Sequence, residues 1–507
     1  MSNSSSSVSL RSVAVVTLMS FGQLVLLFVL QLVLAHAFGA SDELDAYLSA
    51  YALPLVIGGI LAGALGTVIV PLYNELQSAN GDDVADAALG RVGLAVAVLS
   101  SGLALAISFG AELLVGFFYG ELEPSRARLT SELLRIVCWL IPLNTMTGFL
   151  FGVDHARKRF FQPAFSGLLG PSVTVLLFLF VLEGTIDSLA WAVVWGGVVG
   201  VAFLLPGFPS AGSSQTRPSV SVFPRLLLLI APLLMGAACA RLDVLVDRSL
   251  ASGLSVGSIA HMGYAWRLAS AVVMLGTSGL SVVIFPALAK HAAEGDRRQM
   301  RDDLAEGWRF LCVVLVPMVG GITFCGVPIV QVMLQRGEFT HVDSLAVAGL
   351  LTLYAGLICA AGVGELASRT LYAMGRTWIP SFVGIAGFTL GTLAKVLVVD
   401  SFGVDGLVVV SSLYYLLNAT LLVVILRWVG LRGHSSGLAR TLARSVLSAS
   451  IAIVLAMLVM SEPTMLRVAA GILVATVVYV SLLSTLGDEF VRRALSAVRS
   501  IVFRRSR

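Results

Sequence analysis

Residues 35–76 read AHAFGASDELDAYLSAYALPLVIGGILAGALGTVIVPLYNEL, and the rest of the chain is organised around them. Residues 246–291 repeat its plan, reading VDRSLASGLSVGSIAHMGYAWRLASAVVMLGTSGLSVVIFPALAKH. In both stretches small and polar residues precede a long apolar run, which closes on a bulky apolar residue and a proline, Val70-Pro71 and Phe285-Pro286. An apolar run of about 20 residues spans a bilayer as a helix. We therefore interpret the two stretches as copies of one membrane-spanning unit.

The two copies align at a shift of 215 residues, and the alignment continues beyond them. The matched positions, at this shift or two residues beyond it, pair Val68, Ile69 and Pro71 with Val283, Ile284 and Pro286, and Gly120-Glu121 with Gly337-Glu338. The shift carries the first span onto the seventh, an even number of crossings, so the two halves share one orientation. In secondary transporters such parallel repeats are related by an axis along the membrane normal, and the substrate site lies between them.

The composition assigns the chain to the polytopic membrane proteins. Of its 507 residues, 57% are hydrophobic and 12% are charged, whereas soluble domains carry about 25% charged residues. The apolar runs predict an all-α fold of about fourteen transmembrane helices, arranged as two parallel six-helix pseudo-repeats plus two C-terminal helices. The expected spans are 12–38, 46–73, 88–118, 129–153, 160–182, 187–206, 226–249, 256–289, 304–334, 344–372, 378–399, 404–428, 438–460 and 464–486.

The predicted organisation has five parts, and loop charges set its orientation. The parts are an N-terminal six-helix lobe at 1–206, a cytoplasmic linker at 207–225, a C-terminal six-helix lobe at 226–430, two additional helices at 431–486, and a basic amphipathic tail at 487–507. Cytoplasmic loops carry an excess of Lys and Arg. With the N-terminus inside, the inner segments hold about 21 basic residues and the outer loops about five. We expect both termini to be cytoplasmic, and the tail either to lie on anionic lipid or to be a disordered basic segment.

The sequence carries no motif for catalysis or for a bound cofactor. It has no Walker loop, catalytic triad or metal-ligand spacing. The cysteines all lie inside apolar runs without paired spacing, and we interpret them as small core residues: Cys138, Cys239, Cys312, Cys325 and Cys359. We expect no enzyme activity, no metal site, no cofactor and no nucleic-acid partner. Coupling of transport to the membrane potential or to a cation stays open.

Several short motifs, in order along the chain, carry a family resemblance. They are Phe38-Gly39-Ala40-Ser41 with Asp45-Ala46-Tyr47, Leu250-Ala251-Ser252-Gly253, Arg267-Leu268, Gly337-Glu338-Phe339-Thr340, and Leu371 to Arg376. With the 6+6 repeat and two further spans, this pattern resembles the lipid II flippases of the MurJ (MviN) family. That family belongs to the multidrug, oligosaccharidyl-lipid and polysaccharide exporter superfamily. The resemblance covers about residues 10–450.

The resemblance implies a function in peptidoglycan biosynthesis, and thus in cell-wall biogenesis and cell shape. Such proteins translocate lipid II, an undecaprenyl-diphosphate-linked precursor, from the inner to the outer leaflet of the bacterial inner membrane. In the family, arginines in a cationic cavity hold the pyrophosphate. This chain departs from the pattern, with Leu24 and Leu30 in the first span, Ile57-Gly58 in the second and Trp266 in the eighth. Arg267 and Asp45 match it.

Arg267 is the leading candidate for binding the diphosphate. It lies about eleven residues into its predicted span, roughly 16 Å deep. A guanidinium fork suits a pyrophosphate group. The alternative is a structural pair with Asp243 or Asp247, which lie four residues apart on one helix face. Those two acidic residues are predicted to couple transport to a cation, to neutralise Arg267, or to have a plain structural role.

The remaining charged and polar residues of the spans each have two interpretations. Asp45 is predicted either to contact substrate or to cap the start of its own helix. Gln23 and Gln31 either donate hydrogen bonds to substrate or join neighbouring helices. Glu365 and Arg369, four residues apart, form a structural or gating pair. Toward the outer ends of spans, snorkelling to the interface explains Glu112, Arg135 and Lys395.

The sequence leaves four functions open. The first is a lipid II flippase, whose partners are a polyprenyl-diphosphate-linked glycan, membrane lipids and cell-wall synthesis proteins. The second is a flippase for another lipid-linked saccharide, of the exopolysaccharide or O-antigen type, which the missing cavity arginines favour. The third is a cation-coupled exporter of small molecules that uses Asp243 and Asp247. The fourth is a transport-dead scaffold for envelope assembly.

Overall fold

The computed structural model describes residues 10–209, 225–226, 241–431, 435–488 and 491–492. Every regular element within these ranges is a helix, which confirms the all-α prediction. The chain divides into two compact units, Met1–Ala260 and His261–Arg507. This division falls after residue 260 rather than in the predicted linker, and the lobes at 1–206 and 226–430 stay a prediction. Most of the linker, Cys239 and the tail from residue 493 lie outside the described residues.

The first unit holds nine helices and the first turn of a tenth within the described ranges. They are α1 (Leu10–Phe38), α2 (Asp42–Asn80), α3 (Asp82–Phe109), α4 (Ala111–Phe118), α5 (Pro124–Val137), α6 (Leu140–Ala156), α7 (Phe161–Phe180), α8 (Ile186–Leu204) and α9 (241–251). Ser41 starts α2 because its hydroxyl accepts a hydrogen bond from the backbone N–H of Leu44, at 3.3 Å. Residues Cys138 and Trp139 divide the predicted fourth span into α5 and α6.

Helices α2 and α6 pack closely because α6 carries a glycine at their contact. A Cβ atom on Gly148 would overlap the backbone of Ala62 in α2. Small residues permit this close approach of transmembrane helices. Around the contact lies a core of leucine, valine and phenylalanine side chains from α2, α3 and α6, including the fully buried Phe149. This packing holds the long α2 in place.

Gly148→Ala is therefore expected to destabilise the first unit. Adding atoms to a packed core costs about 1–3 kcal/mol, so the thermal unfolding midpoint of the purified protein in detergent should fall. Gly63→Ala is the matched control, because a Cβ atom on Gly63 of α2 meets nothing within 4 Å. Equal midpoints for the two variants would contradict this account of the α2–α6 contact.

The second unit continues α10 and adds seven helices within the described ranges. Their bounds are α10 (Ser258–Gly279), α11 (Phe285–Ala293), α12 (Arg297–Leu334), α13 (His341–Leu353), α14 (Ala355–Ala373), α15 (Trp378–Trp428), α16 (Ser435–Val459) and α17 (Met465–Thr485). The long α15 is two helices across a kink at Gly403, whose φ of 56° suits glycine. The kink matches the predicted boundary between spans 378–399 and 404–428.

The proline that closes each copy of the repeat has a different local effect. A π-helical turn, Leu280–Ile284, precedes Phe285-Pro286, because proline has no N–H for the regular α-helical bond and its ring crowds the preceding turn. In the first copy α2 runs through both Pro54 and Pro71 without such a turn. The two copies therefore share sequence but differ in helix regularity.

The two helices outside the repeat, α16 and α17, pack on α12. The hydroxyl of Tyr479 donates a hydrogen bond to the carbonyl of Val313 at 2.7 Å, within a core that α12, α16 and α17 build together. Ten helices in the described ranges have the length and hydropathy to cross a membrane, or eleven if the bent pair α13 and α14 counts as one span. The chain is thus a multi-pass membrane protein, and the count of fourteen spans stays a prediction.

Candidate functional site

Asp45 is fully buried and caps a helix other than its own. Its two carboxylate oxygens accept hydrogen bonds from the backbone N–H groups of Gly257, at 2.8 Å, and Ala260, at 2.7 Å. Those N–H groups belong to the amino end of α10, where the helix leaves donors unpaired and concentrates positive partial charge. The prediction that Asp45 caps α2 is wrong, because Ser41 already has that role. The carboxylate anchors the start of α10 instead.

Three further hydrogen bonds hold the same region together. The guanidinium of Arg248 donates to the carbonyl of Leu48, and the hydroxyl of Ser249 donates to the carbonyl of Phe118. The hydroxyl of Tyr119 donates to the carbonyl of Ser49 at 2.9 Å. We call this set, with the Asp45 contacts to Gly257 and Ala260, the Asp45 latch. It fastens residues 248–260 to the first two turns of α2 and to the end of α4, which Tyr119 joins to α2.

The Tyr119 contact is insensitive to pH over the physiological range. Burial raises the pKa of Tyr119 to about 12, so its hydroxyl keeps the proton that it donates to Ser49. The neighbouring loop also leaves no room for a side chain at Gly253, since a Cβ atom there would overlap the carboxylate of Glu121. The latch is therefore a closely packed polar cluster rather than an open binding pocket.

Arg267 lies on the helix that the latch anchors. It is half-buried on α10, seven residues beyond Ala260, or about 10 Å along the helix axis. Its neighbour Trp266 packs edge-on against Tyr354, with ring centroids 5.7 Å apart. Near the start of the same helix, His261 and the Asp343 carboxylate lie 2.7 Å apart. The substrate-binding role of Arg267 stays a prediction.

Arg241 is a basic residue that the sequence interpretation missed. It is exposed at the start of the described part of α9, and its guanidinium lies against Gly59 of α2, where a Cβ atom would overlap it. Gly59 directly follows Ile57-Gly58, the pair at which the sequence lacks the expected α2 arginines. The absence of a side chain at Gly59 makes room for this guanidinium from another helix.

The other acidic and amide candidates lie where helical spacing predicts. Asp243 and Asp247 are half-buried one turn apart on α9, and their coupling role stays a prediction. Gln23 of α1 packs on α7, because its Oε1 atom would lie 2.6 Å from a Cβ atom on Gly167. Gln31 buries an Oε1 atom that has no hydrogen-bond partner among the described residues. The Gln23 contact is the kind expected of a residue that joins two helices.

Glu365 and Arg369 form the predicted pair. Arg369 Nε lies 2.8 Å from Glu365 Oε1, and both side chains are about half exposed. The same guanidinium lies over the ring of Phe285, 4.9 Å from its centroid. The pair therefore touches the Phe285-Pro286 end of the repeat.

Glu365→Gln is expected to change the protein little. An exposed pair four residues apart on a helix contributes about 0.3–0.5 kcal/mol, so the thermal midpoint and transport should stay near those of the parent protein. Lost transport in a variant with a normal midpoint would instead assign the pair a gating role.

Two of the three residues assigned to snorkelling pair as surface groups, and the third does not. Arg135 and Glu112 form an ion pair at 2.7 Å. Lys395 is fully buried, so snorkelling is wrong for this residue. Its ammonium lies 5.4 Å from the ring centroid of Tyr414, which comes close because a glycine, Gly391, faces the ring. A ring face attracts a cation.

The remaining candidate groups are the cysteines and the potential metal ligands. The four described cysteines are not in disulfides. No group of three or more potential metal ligands exists among the described residues.

Comparison with known proteins gives the family. A family model described as "Lipid II flippase MurJ" matches residues 34–479. The lipid II flippase MurJ of Burkholderia cenocepacia is 26% identical over 421 residues, which cover 80% of this chain and 81% of the relative. A solved structure of a lipid II flippase MurJ in an inward closed conformation has a TM-score of 0.80 at 20% identity, covering 93% of this chain and 98% of that one.

The fold extends to a wider group of transporters. An inward-facing multidrug resistance MATE transporter of the MOP superfamily has a TM-score of 0.69 at 14% identity, covering 83% of this chain and 99% of that one. The likeness at such low identity shows a shared helical fold. Because the family model matches most of the chain, the resemblance seen in its motifs is confirmed: the chain belongs to the lipid II flippase MurJ family.

Proposed function

We propose that this chain translocates lipid II from the inner to the outer leaflet of the bacterial cytoplasmic membrane by alternating access. Family membership supports the substrate class. The observation that carries the proposal is the arrangement of α10, whose amino end is anchored by the buried Asp45 and whose middle bears Arg267. A basic group on a helix with a defined anchor suits a carrier that must hold a diphosphate and then change conformation.

In this proposal Arg267 binds the diphosphate. A guanidinium is always charged and donates two parallel hydrogen bonds to phosphate oxygens. Arg241 adds a second cation beside Gly59 of α2. Ile57 and Gly58 carry no charge, and Arg241 places a positive charge next to them. The first unit therefore has a basic group beside α2.

The Asp45 latch has a conformational role in the same proposal. Hydrogen bonds to a charged group contribute about 1.5–3 kcal/mol each. Two such bonds hold residues 257–260 against the first turn of α2, and a conformation that moves these residues away from α2 requires that the bonds break. The latch thereby sets the population of the two states rather than binding substrate.

We also propose how the chain is oriented in the membrane and what drives transport. Both termini lie in the cytoplasm, as the excess of basic residues in the inner segments favours. Transport is coupled to the membrane potential or to a cation, with Asp243 and Asp247 as the acidic pair. Cell-wall synthesis proteins that use lipid II are the expected protein partners.

A flippase for another undecaprenyl-diphosphate-linked saccharide is the second candidate. Leu24 of α1, which replaces an expected cavity arginine, is 42% exposed. The absence of a cation at this position favours a substrate that needs fewer cationic contacts than lipid II.

Rescue of growth distinguishes the two candidates. The resident lipid II flippase of a tractable bacterium is depleted while this chain is expressed, and its insertion is checked by immunoblot. Restored growth and cell shape support lipid II as the substrate. No rescue by a correctly inserted chain, together with rescue of an exopolysaccharide flippase mutant, would overturn the lipid II assignment.

A further inference from the structure

A cavity in the second unit lies apart from every residue of the proposed transport site. It has a volume of about 330 Å³ and lies between α12, α14, α15 and α16. Its lining follows α12 from Leu304 to Val316, about 18 Å along the helix axis. Most lining side chains are leucine and valine, with Cys312 and Cys359 among them. The volume falls in the range of small-molecule sites, about 300–1,000 Å³.

Two arginines line this apolar cavity. Arg309 of α12 is half-buried and packs against Gly437 of α16, where a Cβ atom would overlap its guanidinium. Arg427 lies in the last turn of α15. Within the part of the chain that the structure describes, neither forms an ion pair or a side-chain hydrogen bond. Arg309 is half-buried and Arg427 is exposed, and two guanidinium groups at the edge of an apolar cavity suit an anionic ligand with an apolar portion.

The surroundings identify which ligand fits. Trp308 lines the cavity next to Arg309, and tryptophan is enriched where a membrane meets water. Arg297 and Arg301 begin α12 on the same side, and this basic end is the one predicted to be cytoplasmic. Basic pockets between transmembrane helices on the cytoplasmic side bind phosphorylated lipid headgroups.

We propose that this cavity binds one anionic phospholipid of the cytoplasmic leaflet. Arg309 and Arg427 bind the lipid phosphate, and an acyl chain fills the apolar space beside Cys312 and Cys359. The undecaprenyl chain of the transported substrate is far larger than this cavity, and neither Arg267 nor Arg241 lines it. The bound lipid fills the space between α16 and the helices of the repeat, so it contributes to the attachment of α16.

Lipid binding by charge variants tests the proposal. Purified, delipidated protein in detergent is titrated with phosphatidylglycerol or phosphatidylcholine, and bound lipid is counted by native mass spectrometry. A guanidinium that binds the lipid phosphate directly forms charge-assisted hydrogen bonds that glutamine does not replace, so R309Q/R427Q should weaken phosphatidylglycerol binding by about tenfold or more. R309K/R427K should restore most of it.

A matched control removes the same charge elsewhere. R298Q/R376Q changes two exposed arginines that lie outside the cavity lining, and it should bind phosphatidylglycerol as the parent protein does. Equal binding by R309Q/R427Q and the parent protein would overturn the proposal, as would equal weakening by R298Q/R376Q.

The two cavity cysteines locate the bound lipid without any arginine substitution. In a chain that keeps only Cys312 and Cys359, phosphatidylglycerol should slow maleimide labelling and phosphatidylcholine should not. If R309Q/R427Q fails to fold, the protection of these cysteines tests lipid binding in the cavity by itself. Protection by undecaprenyl phosphate but not by phosphatidylglycerol would assign the cavity to the prenyl tail of the substrate and overturn the proposal. Neither assay requires transport, so its outcome is independent of the proposed function.

Discussion

Asp45→Ala is expected to abolish rescue of a flippase-depleted strain while leaving the chain inserted in the membrane. The substitution removes both acceptors for the N–H groups of Gly257 and Ala260. At about 1.5 kcal/mol or more for each hydrogen bond to a charged group, the latched state loses roughly a hundredfold in relative population. Hydrogen exchange at the amides of Gly257 and Ala260 measures the loss directly and should accelerate.

Two variants control this prediction. Asp45→Asn keeps one acceptor oxygen and should retain part of the activity. Glu43→Gln changes an exposed carboxylate in the same helical turn, and it should rescue almost as well as the parent protein because exposed surface substitutions change stability little. Full rescue by Asp45→Ala with accelerated exchange would show that the latch has no role in transport.

Arg267→Ala should also abolish rescue, by a different route. If its guanidinium holds the diphosphate, its removal lowers substrate affinity without changing the Asp45 latch. Charge-assisted hydrogen bonds of this kind contribute about 1.5–3 kcal/mol each, so a bidentate contact corresponds to a hundredfold or greater loss in affinity. Binding of lipid II to purified protein is the measurement, with hydrogen exchange at Gly257 expected to stay unchanged.

The matched variants separate charge from geometry. Arg267→Lys keeps the charge without the planar fork and should recover only part of the affinity. Arg241→Ala should weaken binding less than Arg267→Ala, since Arg241 is exposed against Gly59. Full affinity for Arg267→Ala would show that the diphosphate is held elsewhere.

Much of the fold follows from the sequence because bilayer length and hydropathy leave few choices. The predicted spans overlap the observed helices from α1 to α8 and from α10 to α17, apart from internal breaks near Gly110, Cys138 and Tyr354 and the π turn at 280–284. The shift between repeats also identified Phe285-Pro286 as the counterpart of Val70-Pro71. In the structure a π-helical turn immediately precedes Phe285. Helical spacing was sufficient for the local Glu365–Arg369 pair.

The predictions from sequence were wrong or incomplete where a side chain contacts residues that lie far away along the chain. Asp45 caps α10, more than two hundred residues away in sequence, and no local pattern distinguishes that contact from a cap of α2. Lys395 was assigned to the membrane surface by its position near a span end, yet it is fully buried, with its ammonium over the ring of Tyr414. Arg241 was invisible for the same reason, since only the packing of α9 brings it to Gly59.

Translocation in a purified system tests the central claim most directly. The parent protein, Arg267→Ala and Asp45→Ala are reconstituted into liposomes that hold fluorescent lipid II in both leaflets, and the fraction reaching the opposite leaflet is followed with a membrane-impermeant quencher. We expect rapid movement with the parent protein and rates near those of protein-free liposomes with both variants. Parent protein that moves lipid II no faster than protein-free liposomes, or variants that move it as fast as the parent, would contradict the account.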